Sequence, residues 1–131
     1  MYHKRSIDGS AKADAFHTGD HSDRVWGVVL EISRNEKPWL DRHEFLGVGY
    51  DEETVDVRLE DRSTLSARIY VARRDAIDPT LQPYSWYHDF VIRGAQQHGL
   101  PHEYVSFLRE FNPIRDPDID RHRENQRLIG R

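Results

Sequence analysis

The sequence predicts an α+β domain in which a small mixed β-sheet carries helices on its outside. Three observations lead there. Apolar residues alternate with period two from Arg24 to Ile32 and again across residues 54–59 and 65–71. From Ser85, and again from Pro101, they take helical spacing. Glycines and prolines fall between these runs, where chain reversals belong.

In the first run Trp26, Val28, Leu30 and Ile32 alternate with Val25, Gly27, Val29 and Glu31. Apolar residues on both faces as far as Val29 predict a buried strand. Ser33 or Asn35 can cap a short helix, with Glu36 and Pro38 in its first turn and its end near Glu44. After Gly47 and Gly49, Val55, Val57 and Leu59 form one strand face, and Leu65, Ala67, Ile69 and Val71 form another. The polar link Glu60-Asp61-Arg62-Ser63 makes an antiparallel hairpin the simplest connection, with Tyr70 opposite the aliphatic face. Ser85 opens a helix that carries Trp86, Phe90, Gly94 and Ala95 and stops at Gly99. A second helix starts at Pro101 and presents Tyr104, Val105, Phe107, Leu108 and Phe111. From Asn112 apolar periodicity ceases, so residues 1–111 read as the domain and 112–131 as a weakly ordered polar tail.

A chain of 131 residues is one domain by length. With no cysteine there is neither disulfide framework, thiolate metal site nor cysteine nucleophile, so chemistry falls to serine or carboxylate. The net charge of −4 and the scattered Lys and Arg give no case for nucleic acid or an anionic membrane. Apolar stretches are far shorter than the roughly 20 residues of a spanning helix, and no secretion signal opens the chain, which makes the cytoplasm the expected compartment. Among the eight histidines, His17 and His21 sit in a polar loop, and His98 and His102 straddle a helix break. Neither pair predicts a metal site. The serines lack a Gly-x-Ser-x-Gly setting.

Five motifs occur in order: Lys4-Arg5-Ser6-Ile7-Asp8-Gly9-Ser10, Val25-Trp26-Gly27-Val28-Val29, Leu40 to Glu44, Arg93-Gly94-Ala95 and His98-Gly99-Leu100-Pro101. Together they resemble the gamma-glutamylcyclotransferase-like (AIG2-like) family over most of residues 2–111. The resemblance implies a sheet closing toward a barrel. It also implies a reaction in which the α-amine of a gamma-glutamyl amino acid or amine attacks its own gamma-carbonyl, giving 5-oxoproline and the free amine. The nucleophile resides in the substrate, so no cofactor is implied. What the enzyme supplies is proton transfer, a ring-closing conformation and oxyanion stabilisation.

One carboxyl group shielded from water can serve as both general acid and base, and the resemblance assigns that role to Glu44, with Trp39, Phe45 and the glycine loop as its apolar surroundings. His43, adjacent on the helix, is expected to face away. By the same resemblance Tyr70 and Tyr87 line the substrate cavity, and Gly9 and Ser10 join them as substrate-binding positions, although Ala11 replaces the family's usual glycine. Read from residues alone, Glu44 is an exposed helix-end glutamate, the tyrosines are core or rim residues, and Asp8-Gly9 is a tight hairpin turn. The family's opening strand and loop, roughly Tyr-Gly-Ser-Asn-Leu, precede the point at which this sequence starts. The expected consequences are a barrel short of one strand, lost oxyanion contacts and two open edges. Such an edge can pair with a second copy, which makes a homodimer, or a non-catalytic ligand-binding module, the competing expectation.

Overall fold

The computed structural model describes residues 1–130. Strand β1 (Tyr2–Arg5) turns into β2 (Ala11–Ala13). Helix α1 (Lys37–His43) then leads to the long hairpin of β3 (Tyr50–Arg58) and β4 (Thr64–Ala72). Three helices follow, α2 (Ser85–Gln97), α3 (His102–Leu108) and α4 (Ile119–Ile129). The α+β class holds, but the strands form two separate two-stranded antiparallel sheets, with no closed barrel.

The long hairpin follows the period-two reading closely. Val55 faces Ala67 and Val57 faces Leu65 in the ladder, and Tyr50, Glu52, Tyr70 and Ala72 share the opposite face. Asp61 accepts from the Ser63 amide at 2.9 Å and so closes the link. The two sheets meet through side chains instead of a ladder: the Tyr50 hydroxyl donates to the Ala13 carbonyl, and Asp14 Oδ1 accepts from the Ala72 amide. Asp14 Oδ2 takes a second bond, from buried His3 at 2.7 Å. A mixed sheet is therefore replaced by two hairpins pinned at one corner.

Helix α2 starts at Ser85, and Gly99 ends it with φ +65°, the left-handed conformation a stop glycine serves. Ala95, Val105 and Leu108 form the core between α2 and α3, with Val91, Ile92, Leu100 and Tyr104 packed on it. No helix is long and apolar enough to cross a membrane among the described residues.

Two expectations fail. The predicted strand 24–32 has no regular structure, and Val25, Trp26, Val28, Val29, Leu30 and Ile32 are all exposed. A strand needs a hydrogen-bonded neighbour, and among the described residues neither two-stranded sheet, nor the bridge that joins Lys4 to Ile77, offers one to residues 24–32. The predicted loose tail is instead folded. The Ile114 amide donates to the Pro83 carbonyl, Ser85 donates to Ile114, and α4 packs on α2. Asp116, only 1% exposed, accepts from Trp86 Nε1 at 2.9 Å and takes two bonds from Arg121 at 2.6 Å.

Candidate active site at the end of the first helix

Before α1, Ser33 and Glu36 exchange hydrogen bonds, the Glu36 carboxylate accepting from the Ser33 amide and Ser33 Oγ from the Glu36 amide. Pro38 fits the first turn, where its missing N–H costs nothing. The helix ends at Glu44, and Phe45 turns the chain with φ 52°, unusual for a residue other than glycine. Gly47, at φ +82°, completes the reversal into β3.

This end has two faces. Outward, His43 stacks on Trp39 with ring centroids 5.4 Å apart, which fulfils the expectation that His43 points away. Trp39 and Phe45 are 62% and 54% exposed, so neither shields Glu44 as the sequence suggests. Glu44 is half-buried on the inner face. Its neighbours there are Lys4, Tyr50 and Tyr87, all close enough for its charge to act on them. The aromatic surroundings come from the long hairpin and α2, not from positions next to Glu44 in sequence.

Tyr87 and Tyr50 converge on the backbone of one residue, Ala13. The Ala13 amide donates to the Tyr87 hydroxyl at 3.1 Å, while the Tyr50 hydroxyl donates to the Ala13 carbonyl at 3.0 Å. Burial pushes the Tyr87 phenol up, the Ala13 bond opposes this, and the charges of Glu44 and Asp8 add to it. Burial, with Tyr87, Glu44 and Asp14 adding, raises Tyr50 likewise. Both hydroxyls therefore stay protonated at neutral pH; the Tyr50 proton is given to the Ala13 carbonyl, and the Tyr87 proton remains to donate.

The turn at Asp8-Gly9 is a hairpin, as its residues alone suggest. Gly9 has φ +87°, and a Cβ there would stand 3.5 Å from the Tyr84 hydroxyl. Asp8 accepts from the Ser10 amide, from Ser10 Oγ and from Lys12 Nζ at 2.8 Å. Burial would raise the Asp8 carboxyl, but the Lys12 and Ser10 hydrogen bonds outweigh it and hold it at about 2. Ser10 is fully buried, its hydroxyl engaged by Asp8 and Lys12. Lys12 Nζ also stands over the rings of Trp86 and Tyr87, at 4.7 and 4.6 Å.

Tyr70 is placed differently. Its hydroxyl donates to Asp41 of α1 at 2.5 Å, within an ionic cluster where Lys37 joins Asp41 and Glu52. Glu44 and Tyr87 thus share one neighbourhood, Gly9 and Ser10 border it through Lys12, and Tyr70 stands on the Asp41 side. Two open clefts lie nearby. One of about 280 Å³ runs between Trp26, Val28 and helices α2 and α3; the other, about 440 Å³, follows Trp39, Arg42, His43 and Phe45. Neither is lined by Glu44, Tyr70 or Tyr87. Sequence reasoning missed Tyr50, whose signal is its position at the mouth of the Gly47–Gly49 loop on the Tyr70 face of the hairpin.

A sequence model of the AIG2-like family matches residues 24–108. The chain belongs to the AIG2-like family. Gamma-glutamylcyclotransferase of Bos taurus is 29% identical over 93 residues, which span 70% of this chain and 47% of that protein. The chain therefore spans about half the length of that curated relative. Among solved structures, an uncharacterized protein from Homo sapiens superposes with a TM-score of 0.80 at 22% identity, covering 99% of this chain and 77% of its own. A gamma-glutamyl cyclotransferase superposes with a TM-score of 0.65 at 22% identity, over 76% and 57% of the two chains. At such identities these two likenesses establish the shared fold.

Proposed function

We propose that this AIG2-like protein cyclises gamma-glutamyl amino acids or amines to 5-oxoproline, releasing the amine, with Glu44 as general acid and base. The observation that carries the reading is the inner face of the α1 terminus, where one half-buried carboxylate stands beside two protonated tyrosines and a buried lysine. Two protons must leave the nitrogen that attacks, and two must reach the amine that departs. A single carboxylate at the reacting centre can relay them. The new bond joins the α-nitrogen to the gamma-carbon, and the gamma-amide C–N bond breaks. Tyr87, whose hydroxyl accepts from the Ala13 amide and keeps its own proton, supplies a donor beside that centre, Tyr50 is held by the Ala13 carbonyl next to it, and Tyr70 orders α1 through Asp41. The family and the bovine relative support this reading.

The test follows 5-oxoproline released from gamma-glutamyl-alanine. Glu44→Gln is expected to lower kcat by a hundredfold or more while leaving the melting temperature within a few degrees. Full activity in that variant would remove Glu44 from the chemistry.

A second reading, a non-catalytic dimerising module, has one observation in its favour: the exposed apolar run from Val25 to Ile32. A sedimentation-equilibrium mass of two chains combined with no turnover would favour it.

A further inference from the structure

The two lysines that face each other across the first hairpin live in different circumstances. Lys4 and Lys12 are register partners in the β1–β2 ladder, so two cations share one face. Lys12 is fully engaged, by Asp8, by Ser10 and by two aromatic rings. Lys4 is as buried as a core residue, at 9% exposure, and forms no ion pair or side-chain hydrogen bond among the described residues. Its stem lies against Gly49 so closely that a Cβ there would come within 2.9 Å of Cε and 3.0 Å of Nζ. The ammonium stands 4.9 Å from the Tyr50 ring centroid. Burial lowers its pKa, the Glu44 charge opposes that, and the like charge of Lys12 adds to it.

Buried ammonium groups are nearly always paired, because leaving water without a counter-charge is expensive. Glu44 and Asp8 act on Lys4 only through their field, and among the described residues no carboxylate forms an ion pair with it. The glycine at position 49 gives the lysine room to hold this place beside Glu44 and Tyr50. We propose that the Lys4 ammonium is the receptor for a carboxylate of the substrate, so that the site selects gamma-glutamyl compounds by a negative charge beside the scissile amide. This rests on the cyclotransferase reading above. The carboxylate is either the α-carboxylate of the glutamyl unit or that of the departing amino acid, and the two arms of the experiment separate them.

Two readouts are needed: kcat/KM for 5-oxoproline formation, and the lysine ε-carbon resonances of uniformly 13C-lysine-labelled protein. Three compounds are compared, namely gamma-glutamyl-alanine, gamma-glutamylethylamine, which lacks the departing carboxylate, and the α-carboxamide of gamma-glutamyl-alanine, which lacks the glutamyl one. The Lys4 signal is expected to move with gamma-glutamyl-alanine and to stay still with whichever analogue lacks the bound carboxylate. That analogue should lose roughly tenfold or more in kcat/KM, the worth of a charge-assisted hydrogen bond. Lys4→Met should erase the preference, and Lys4→Arg should keep part of it. A Lys4 signal that moves with none of the compounds, or undiminished with both analogues, overturns the inference, and either outcome is read on the unsubstituted protein alone. Carboxylate-dependent movement without any turnover would instead keep the subsite and sink the reaction; turnover indifferent to either carboxylate would do the reverse.

Discussion

The segments 24–32 and 112–130 exchange the roles that their compositions suggest. The first is the most continuous apolar run of the chain and lies exposed; the second is rich in aspartate and arginine and is docked. Apolar character by itself does not bury a strand, because its backbone must also find a ladder partner. A polar segment can be held by a single charged side chain when that side chain is buried and fully hydrogen-bonded. Asp116 meets both conditions, since Trp86, Arg121 and the Asp118 amide all donate to it. What docks α4 is therefore a few directed bonds more than area.

The strongest way to break this comparison is Asp116→Ala. It strands the Trp86 indole N–H and unpairs Arg121, and with Arg121 partly exposed the expected loss is about 3 kcal/mol in urea unfolding. Amide exchange across Ile119–Ile129 should accelerate before that of the α2 core. Unchanged protection in α4 would mean that apolar packing holds it after all.

Acid gives a smaller, graded version. Arg121 hydrogen bonds hold the Asp116 carboxyl far below its ordinary 3.8, with burial opposing and Trp86 assisting. A carboxyl depressed in the folded state contributes stability above the unfolded value and loses it as pH falls toward the folded one. Asp8, held at about 2, behaves the same way. Stability should be level above pH of about 5 and should fall progressively from about pH 4 toward 2. A Tm that is flat across that interval would contradict the role given to these carboxylates.

The smallest effect sharpens the other half. Leu30 is 74% exposed, so Leu30→Lys is expected to change unfolding free energy by no more than about 0.5 kcal/mol. A loss above about 1.5 kcal/mol would show that another surface covers residues 24–32 in solution.

Much of the scaffold was legible because local rules decide it. Alternation predicted the long hairpin and its pairing, and the Asp8-Gly9 sequence predicted the turn now seen with Gly9 at positive φ. Gly99 predicted the end of α2, and the Leu40–Glu44 motif put Glu44 at a helix end. Helix α4 had a readable signal that composition hid: Asp118 caps it through the Arg121 amide, directly after Pro117. The candidate site was legible only residue by residue. Nothing in the spacing of Lys4, Ala13, Tyr50 and Tyr87 announces that two tyrosine hydroxyls converge on the backbone of one residue.

The sequence by itself determined helices α1 to α3, the long hairpin and the kind of chemistry open to a chain without cysteine, since each depends on neighbours a few residues apart. Tertiary structure decided which face of α1 Glu44 occupies, which lysine has no ion-pair partner among the described residues, and that the apolar segment stays out while the charged one goes in. Those outcomes turn on desolvation and on whether each buried donor finds an acceptor. Both are properties of the assembled surroundings, which no stretch of sequence carries alone.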